Sequence, residues 1–302
     1  MSKPMRLVGA PVFEQVVRKI KERLEVGKRA GALGVSDSAE EGGGAFGAAP
    51  VLTILANAQD PVINIYIRQK QKLGAKLNIG VQIIDISQAS PNSVVETIHQ
   101  LNQNPAVGGI VVQLPLPGHL LDHRFAIFSA ISPKKDVDVL NPHNYGALFQ
   151  KTPTIVPPTP KAAIDIAKYY SIPINGASVV IVGDGILVGR PLYALLKQEF
   201  SPNLVTIVDK SCQNLAQVIK QHSIVFLATG SAHFFTANYF REDQIVFDLG
   251  ASVIKENGRY RLVGDLAPDA YSKLKAYTPT PGGVGPVTVA NLFKNLVELS
   301  LF

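Results

Sequence analysis

A tyrosine and a lysine stand four residues apart in the first third of the chain and could do acid–base chemistry together. Tyr66 and Lys70 fall in a segment with helical periodicity, so their side chains project from the same face of the helix. A phenol and an amine at this spacing can hold a proton or orient a substrate when they line a cleft. A solvated helix face is the alternative explanation for such a pair.

Two further polar residues stand where ligands collect in a parallel sheet. Gln113 ends the apolar run 109–113 and precedes the segment Leu-Pro-Leu-Pro, so it marks the carboxyl end of a buried strand. Asp138 follows a loop and could accept two N–H donors from a heterocycle such as a 2-amino-4-oxopteridine. The alternatives are a polar residue at a loop entry for Gln113 and an exposed turn acid for Asp138.

A glycine turn in the second half of the chain predicts a dinucleotide site. A β-branched strand at 179–182 runs into this turn, and an apolar helix follows it. Glycines let backbone N–H groups approach a pyrophosphate, and the helix dipole favours its charge. The spacing is G-x-G-x-x-x-G rather than G-x-G-x-x-G, and an ordinary strand-to-helix turn is the alternative. The predicted cofactor contacts here are Gly183, Asp184, Gly185, Val188 and Gly189.

An acidic residue after the next strand favours NAD over NADP. The strand at 204–208 is followed by Asp209, whose carboxylate can accept hydrogen bonds from a ribose 2′-hydroxyl and would repel a 2′-phosphate. Asp184 adds a second negative charge inside the turn, and Lys210 partly offsets both. Capping of the strand end is the alternative role of Asp209. The remaining predicted cofactor contacts follow later strands: Thr229, Gly230 and Gly250.

Glycines between two prolines specify an unusual backbone path near the end of the chain. The segment from Pro281 to Pro286 contains Gly282, Gly283 and Gly285. Such a loop lets a ligand approach the backbone closely, because glycine has no side chain to keep it away. A hinge between domains is the alternative.

Helix and strand patterns alternate along the chain and position these residues. Asp60 is a helix N-cap and Pro61 the first helical residue of the segment that carries Tyr66 and Lys70. The alternation predicts mostly parallel sheets covered by helices. The other predicted helices are 12–24, 91–103 and 287–299, and the predicted strands are 51–55, 81–86, 109–113, 178–182, 204–208, 224–228 and 245–249.

A proline-dense stretch at 151–160 is interpreted as a linker between two α/β domains, because proline ends helices and central strands. We predict an N-terminal three-layer α/β catalytic domain, 1–149 with the C-terminal helix 285–302. We predict a C-terminal Rossmann-like dinucleotide-binding domain at 150–284. The segment 27–50 is rich in Gly, Ala and Ser and is expected to be a mobile surface loop.

The composition is that of a folded protein. Of the 302 residues, 46% are hydrophobic and 17% charged, which suits two compact domains and argues against disorder. The net charge of +6 is spread without a basic run, so we expect no nucleic-acid partner. Cys212 is the single cysteine, and no apolar run approaches the roughly 20 residues that span a bilayer. We expect a cytoplasmic protein with no membrane contact and no metal site.

Together these motifs resemble the bifunctional methylenetetrahydrofolate dehydrogenase/cyclohydrolase family. The resemblance covers most of the chain from about Val51 onward, and its most specific parts are 109–117 and 278–286. The other matching segments are Tyr66-x-x-x-Lys70, Lys135-Asp136-Val137-Asp138, Asn141-Pro142 to Gly146, Val188-Gly189-Arg190-Pro191 and Asp248-Leu249-Gly250.

The resemblance implies oxidation of 5,10-methylenetetrahydrofolate with a nicotinamide cofactor and hydrolysis of the methenyl product to 10-formyltetrahydrofolate. It implies that Lys70 is the central catalytic residue, with Gln113 holding its amine and Tyr66 lining the same pocket. It also implies that Asp138 anchors the pterin and that the loop 281–286 helps to position the folate beside the nicotinamide. A homodimer formed through the nucleotide domains is implied as well.

Several positions in the folate half depart from the family pattern. Val62-Ile63 stand where an Ala-Ser pair is usual, so a polar contact near Tyr66 is missing. Val139 stands in place of the glycine after Asp138. The stretch Pro-Pro-Thr-Pro at 157–160 replaces Pro-Cys-Thr-Pro, and Lys161-Ala162 follow where a glycine is usual.

The nucleotide half departs further. Asp184-Gly185 replace Arg-Ser in the glycine turn, and Asp209-Lys210 replace His-Ser after the following strand. The resemblance assigns that arginine and the serine after the strand to a 2′-phosphate, so their loss agrees with a preference for NAD. It also agrees with weakened cofactor binding.

Two other functions stay open. A cyclohydrolase or folate-binding protein with an impaired nucleotide pocket would keep the fold without the hydride chemistry. A different two-domain dehydrogenase, such as one acting on shikimate, is disfavoured by the set of Lys70, Gln113 and Asp138.

Overall fold

The computed structural model describes residues 3–29 and 50–301. The helices are α1 Ala10–Arg29, α2 Pro61–Leu77, α3 Pro91–Gln103, α4 Arg124–Ala130, α5 Pro142–Phe149, α6 Pro158–Tyr169, α7 Gly189–Glu199, α8 Leu215–Lys220 and α9 Val284–Ser300. The strands are β1 Met5–Arg6, β2 Val51–Ala56, β3 Val81–Asp85, β4 Val107–Val112, β5 Ser178–Val182, β6 Leu204–Val208, β7 Ile224–Leu227, β8 Ile245–Asp248, β9 Ser252–Glu256, β10 Arg259–Val263 and β11 Ala276–Tyr277.

The described residues form two compact units. Those within 15–156 and 292–302 form one, called the Lys70 unit, and those within 1–14 and 157–291 form the other, called the Gly183 unit. Helices α1 and α9 therefore each contribute residues to both. The predicted functional boundaries, 1–149 with 285–302 and 150–284, stay a prediction.

The Lys70 unit is built on a parallel sheet in the order β3-β2-β4. Leu55, Ile110 and Val112 point to one face, where they pack against α3 and α4. Gly109 lies on the opposite face, where an added Cβ would come within 2.7 Å of Leu296 in α9. Helices thus cover both faces of this sheet, as the three-layer prediction requires.

The Gly183 unit holds a parallel sheet in the order β1-β11-β8-β7-β5-β6. Strands β7 and β8 are buried along their whole length, as expected for a sheet covered on both faces. From β5 the chain passes first to β6 on one side and then to β7 on the other, so the strand order reverses at β5. The predicted α/β class with parallel sheets is confirmed.

Two helices begin within segments that contain prolines: α6 begins inside the predicted linker, and α9 begins before its predicted start at 287. The interpretation of 151–160 as a linker was wrong at its end, because α6 begins at Pro158 and includes Pro160 in its first turn. Helix α9 begins at Val284 rather than at 287, with Pro286 in its first turn. Proline is tolerated there because the first N–H groups of a helix have no intrahelical partner.

The expected surface loop at 27–50 lies largely outside the described residues. Its first three residues belong to α1, which runs to Arg29 rather than ending near 24. Along the described ranges, no helix combines the length and apolar character that crossing a membrane requires.

Replacing Gly74 with alanine should destabilise the Lys70 unit by about 1–3 kcal/mol. Gly74 packs α2 against the sheet, and an added Cβ would lie 2.6 Å from Val81 Cγ2 and 2.8 Å from the Ile79 carbonyl oxygen. Gly146 in α5 is the matched control, since an added Cβ there meets nothing within 4 Å. Gly146→Ala should stabilise by up to about 1 kcal/mol. Thermal unfolding measures both, and an unchanged melting temperature for Gly74→Ala would contradict the packing.

Candidate functional site

Helix α2 places two of the predicted site residues. The Asp60 carboxylate accepts a hydrogen bond from the Val62 N–H at 2.8 Å, and Pro61 is the first helical residue, as predicted. This cap fixes where the helix begins and therefore which face it turns inward. Tyr66 and Lys70 are both half-buried on that helix.

The structure brings Lys70 to Gln113. The Lys70 Nζ donates a hydrogen bond to Gln113 Oε1 at 2.8 Å. Gln113 follows β4, where its N–H donates to the Leu55 carbonyl oxygen at 2.8 Å. Its Nε2 donates to the Leu114 carbonyl oxygen at 2.9 Å, which leaves Oε1 directed at the lysine. The amide therefore orients the amine.

A buried carboxylate shapes the loop that carries Asp138. Asp136 is fully buried, and its two oxygens accept from the Leu140 and Asn141 N–H groups, each at 2.9 Å. Asn144 Nδ2 donates to the same carboxylate at 3.1 Å. These bonds fold residues 136–141 into a tight turn with Asp138 on it. The motif 135–138 contained Asp136, but sequence reasoning gave it no role.

Val139 occupies the position where the family resemblance expects glycine, and it keeps a glycine-like conformation. Its φ is +60°, in the left-handed region, and its side chain is buried. A β-branched residue there carries strain of order 1–3 kcal/mol. Burial of the isopropyl group and the bonds around Asp136 hold it in place.

Burial and mutual attraction have opposite effects on the pKa values of Lys70 and Asp138. Burial lowers the pKa of Lys70, and the charge of Asp138 opposes that shift. Burial raises the pKa of Asp138 to about 6, against the attraction of Lys70 and with a further rise from Asp136. Burial also raises the pKa of Tyr66, which stays a protonated phenol. The pKa values of Lys70 and Asp138 are therefore both moved toward neutral pH, as is common at functional sites.

The glycine turn has the close backbone approach that the sequence predicted. Gly183 has φ +117°, and an added Cβ would lie 2.3 Å from the Ala228 carbonyl oxygen. An added Cβ on Gly189 would lie 1.7 Å from the Gly183 carbonyl oxygen. Helix α7 begins at Gly189, and Val188 at its N-cap makes no side-chain capping bond. Gly185 is exposed beside this helix end.

The two acids predicted at the cofactor site are exposed and locally bonded. Asp209 Oδ1 accepts from the N–H and the hydroxyl of Ser211, each at 2.6 Å, and these bonds lower its pKa. Asp184 forms an ion pair with Arg190 at 3.2 Å, so that arginine is already engaged. Lys210 Nζ donates to Ser231 Oγ at 3.3 Å.

Thr229, Gly230 and Gly250 lie beside two buried aspartates that sequence reasoning left without a role. Asp265 accepts from Thr229 and Gly230, and Asp248 accepts from the Gly250 N–H. Burial, with repulsion from Asp265, raises the pKa of Asp248 to about 7. An acid after a glycine was the sole sequence signal for Asp265.

The predicted substrate loop at 281–283 belongs to the Gly183 unit. Pro281 and Gly282 are exposed, Gly283 is buried, and Gly282 has φ +103°. The Gly9 N–H donates to the Gly282 carbonyl oxygen at 2.8 Å, which anchors the loop.

Two family models match the chain. Residues 7–138 match the model described as tetrahydrofolate dehydrogenase/cyclohydrolase, catalytic domain, and residues 157–301 match its NAD(P)-binding domain. The bifunctional protein FolD of Ligilactobacillus salivarius (strain UCC118) is 39% identical over 258 residues, which cover 84% of this chain and 87% of that protein.

Solved structures agree along nearly the whole chain. The Trypanosoma brucei N5,N10-methylenetetrahydrofolate dehydrogenase-cyclohydrolase, complexed with NADP and an inhibitor, aligns with a TM-score of 0.87 at 28% identity and covers 99% of this chain and 98% of its own. The NAD-dependent 5,10-methylenetetrahydrofolate dehydrogenase from Saccharomyces cerevisiae aligns with a TM-score of 0.75 at 20% identity, covering 99% and 97%. That second likeness is one of fold alone.

Replacing Asp138 with asparagine should lower the pKa of Lys70 further, because the attraction that favours its ammonium form is removed. NMR titration of the lysine side-chain resonances measures this without substrate. Asp122→Asn, at an exposed aspartate of the same unit, is the control and should leave Lys70 unchanged. An equal or higher pKa of Lys70 in Asp138→Asn would show that the two groups do not interact.

Proposed function

This chain belongs to the tetrahydrofolate dehydrogenase/cyclohydrolase family, and we propose that it oxidises 5,10-methylenetetrahydrofolate with NAD and hydrolyses the methenyl product to 10-formyltetrahydrofolate. Family membership supports both reactions. The single observation that carries the assignment to residues is the half-buried Lys70 amine, bonded to Gln113 and coupled to Asp138. The choice of NAD rests on the acids of the Gly183 unit.

Asp138 binds the pterin in this proposal. With a pKa of about 6 it is mostly ionised at neutral pH, so its two oxygens can accept from two N–H groups of the 2-amino-4-oxopteridine edge. Asp136 keeps the loop in the shape that presents it. The loop 281–283 is assigned to the substrate as well, and the φ of Gly282 fits close approach of a ligand to the backbone.

The hydride step asks little acid–base help of the protein. The carbon that loses hydride is flanked by two nitrogens, whose lone pairs stabilise the developing cation. The nicotinamide ring, when bound, supplies the hydride acceptor. In this step, Lys70, Gln113 and Tyr66 would hold the folate in the orientation that hydride transfer requires.

Hydrolysis requires a group that accepts a proton from the attacking water, and Lys70 has this role in the proposal. Water forms a bond to the methenyl carbon and loses a proton, which the neutral Lys70 amine can accept. The bond from that carbon to N5 then breaks while the new hydroxyl group loses its proton and becomes the formyl carbonyl, N5 gains a proton, and the formyl group stays on N10. Burial lowers the pKa of the amine and so favours its neutral form, and Gln113 Oε1 fixes one N–H so that the lone pair is directed elsewhere.

Lys70→Met should lower methenyl hydrolysis by about 10²–10⁴-fold, the usual contribution of a positioned acid or base. The absorbance of the methenyl substrate follows the reaction. Lys72→Met, at an exposed lysine of the same helix, should keep the wild-type rate. Full retention of hydrolysis in Lys70→Met would reject the role given to this lysine.

The glycine turn fits a dinucleotide. Gly183 and Gly189 bring backbone together where any side chain would collide, and the N-terminus of α7 has no side-chain cap. Its N–H groups and dipole would hold the pyrophosphate. The topology puts this turn after β5, at the reversal of strand order where such ligands bind.

Two features support NAD over NADP. Asp209 stands exposed after β6, where it can accept from the ribose hydroxyls and would repel a 2′-phosphate. Asp184 pairs with Arg190 and so neutralises a cation that could otherwise meet a phosphate. The comparison structures include one with NADP and one described as NAD-dependent, so the family alone leaves the choice open.

In the presence of methylenetetrahydrofolate, NAD should be reduced with a kcat/KM at least about 10-fold above that for NADP, because like charges brought together cost several kcal/mol. Asp209→Ser should narrow that ratio, and Asp243→Ser, at an exposed acid of the same unit, should not. A preference for NADP would overturn the assignment. If neither cofactor is reduced, the chain is a cyclohydrolase with an impaired dinucleotide site.

Location and assembly complete the proposal. With a single cysteine the chain cannot form a disulfide within itself, and this supports a cytoplasmic location because disulfides are rare in the cytoplasm. The family resemblance supports a homodimer formed through the nucleotide domains.

A further inference from the structure

The loop after β7 wraps around one buried carboxylate. Asp265 Oδ2 accepts from the Thr229 N–H at 2.6 Å, the Thr229 hydroxyl at 2.9 Å and the Gly230 N–H at 3.2 Å. Its Oδ1 accepts from the Ser231 N–H at 2.7 Å. Asp265 has no exposed surface, so these bonds are what compensates its burial. The loop conformation therefore depends on this side chain.

A second carboxylate fixes the segment that carries the first. Asp248 is the last residue of β8. Its Oδ1 accepts hydrogen bonds from the Asp265 N–H and the Gly250 N–H, each at 3.0 Å. Its Oδ2 accepts from the Leu266 N–H at 3.1 Å. Support thus runs from a core strand through Asp248 and Asp265 to the loop 229–231.

Neither carboxylate has room to move. An added Cβ on Gly250 would lie 2.2 Å from Asp265 Oδ1, and one on Gly264 would lie 1.8 Å from Asp248 Oδ2. The backbone closes on the acids where glycine alone fits. The loop is accordingly held in one conformation.

The sheet order says which half of a dinucleotide this loop faces. Asp209 follows β6, on one side of β5, while the loop 229–231 and Gly250 follow β7 and β8 on the other side. The ribose of the adenosine half lies at the acid after the second strand, so the nicotinamide half extends over β7 and β8.

We propose that Asp265, supported by Asp248, is a positioning residue that sets the loop 229–231 for the nicotinamide-ribose half of the cofactor. This rests on the proposed function. The N–H groups of Thr229, Gly230 and Ser231 and the Thr229 hydroxyl proton are all given to Asp265. The backbone of the loop and the Thr229 side chain therefore offer a ligand acceptors, the carbonyl oxygens and the Thr229 Oγ1 lone pair, which match the donors of a carboxamide and of ribose hydroxyls.

Asp265→Asn tests the proposal by calorimetric titration with two ligands. Asparagine would put an NH₂ group against N–H donors, so the loop loses its shape. NAD should bind roughly 10-fold or more weakly, as expected for lost bonds to a buried charged group. ADP, which lacks both the nicotinamide and its ribose, should bind within about twofold of the wild type, because it is held by the glycine turn and Asp209.

Two further variants make the result specific. Asp269→Asn is the control, since Asp269 is exposed and accepts one backbone bond from Ala237 at 3.1 Å; it should leave both affinities unchanged. Thr229→Val removes one donation to Asp265 and keeps the shape, so it should weaken NAD less than Asp265→Asn does. It tests the same prediction if Asp265→Asn does not fold.

Equal weakening of NAD and ADP would overturn the proposal, because it would show a general structural role, and so would unchanged binding of both. If the wild type binds NADP rather than NAD, the preference for NAD fails while the role of Asp265 is still tested. The comparison is then NADP against 2′-phospho-ADP, with the same expected outcomes.

Discussion

Buried carboxylates hold loops that follow strands of the two parallel sheets. An ionised acid in the interior is costly unless hydrogen bonds replace its hydration, and backbone N–H groups supply those bonds here. Asp136 draws residues 140 and 141 toward itself, and Asp265 does the same for 229–231. Each acid turns a flexible connection into a fixed one. Asp138 and Thr229, which belong to the predicted sites, owe their backbone positions to these bonds.

The cost of burying a charge also affects the Lys70 amine. Withdrawal from water favours its neutral form, and the nearby Asp138 favours its charged form. Gln113 adds no charge, yet it fixes the direction of the amine. Because burial lowers the pKa of the amine, its neutral form is easier to reach than in an exposed lysine, which favours a role as a base. An isolated lysine in water would stay charged and would offer no base.

The fold and the proximity of Lys70 and Gln113 could be predicted from the sequence, but the residues that support the loops could not. The strands at 178–182 and 204–208 and the helix at 91–103 agree with the structure to the residue, because short β-branched runs and Ser90-Pro91 are strong local signals. Family resemblance identified the chain, and the family match confirms the folate enzyme. The short helices α4, α5 and α8 were missed, since their few turns give little periodicity.

Asp136, Asp248 and Asp265 were missed as supports for a different reason. A buried acid that organises a loop looks, in one sequence, like any turn acid, because its partners are backbone N–H groups that every residue except proline possesses. Val139 shows the opposite limit. Its departure from glycine was visible, but the left-handed backbone that it nevertheless adopts depends on bonds formed by Asp136.

The contact between glycines and aspartates in the Gly183 unit also limits how this chain can diverge. Gly250 and Gly264 touch the carboxylates so closely that neither can gain a side chain while its acid remains. A smaller residue in place of Asp265 would leave the N–H groups of 229–231 unpaired, and one in place of Asp248 would leave those of Gly250, Asp265 and Leu266 unpaired. The four positions are therefore mutually dependent: a lineage that changes one must change the others together, so we expect them to vary as a set or to stay fixed.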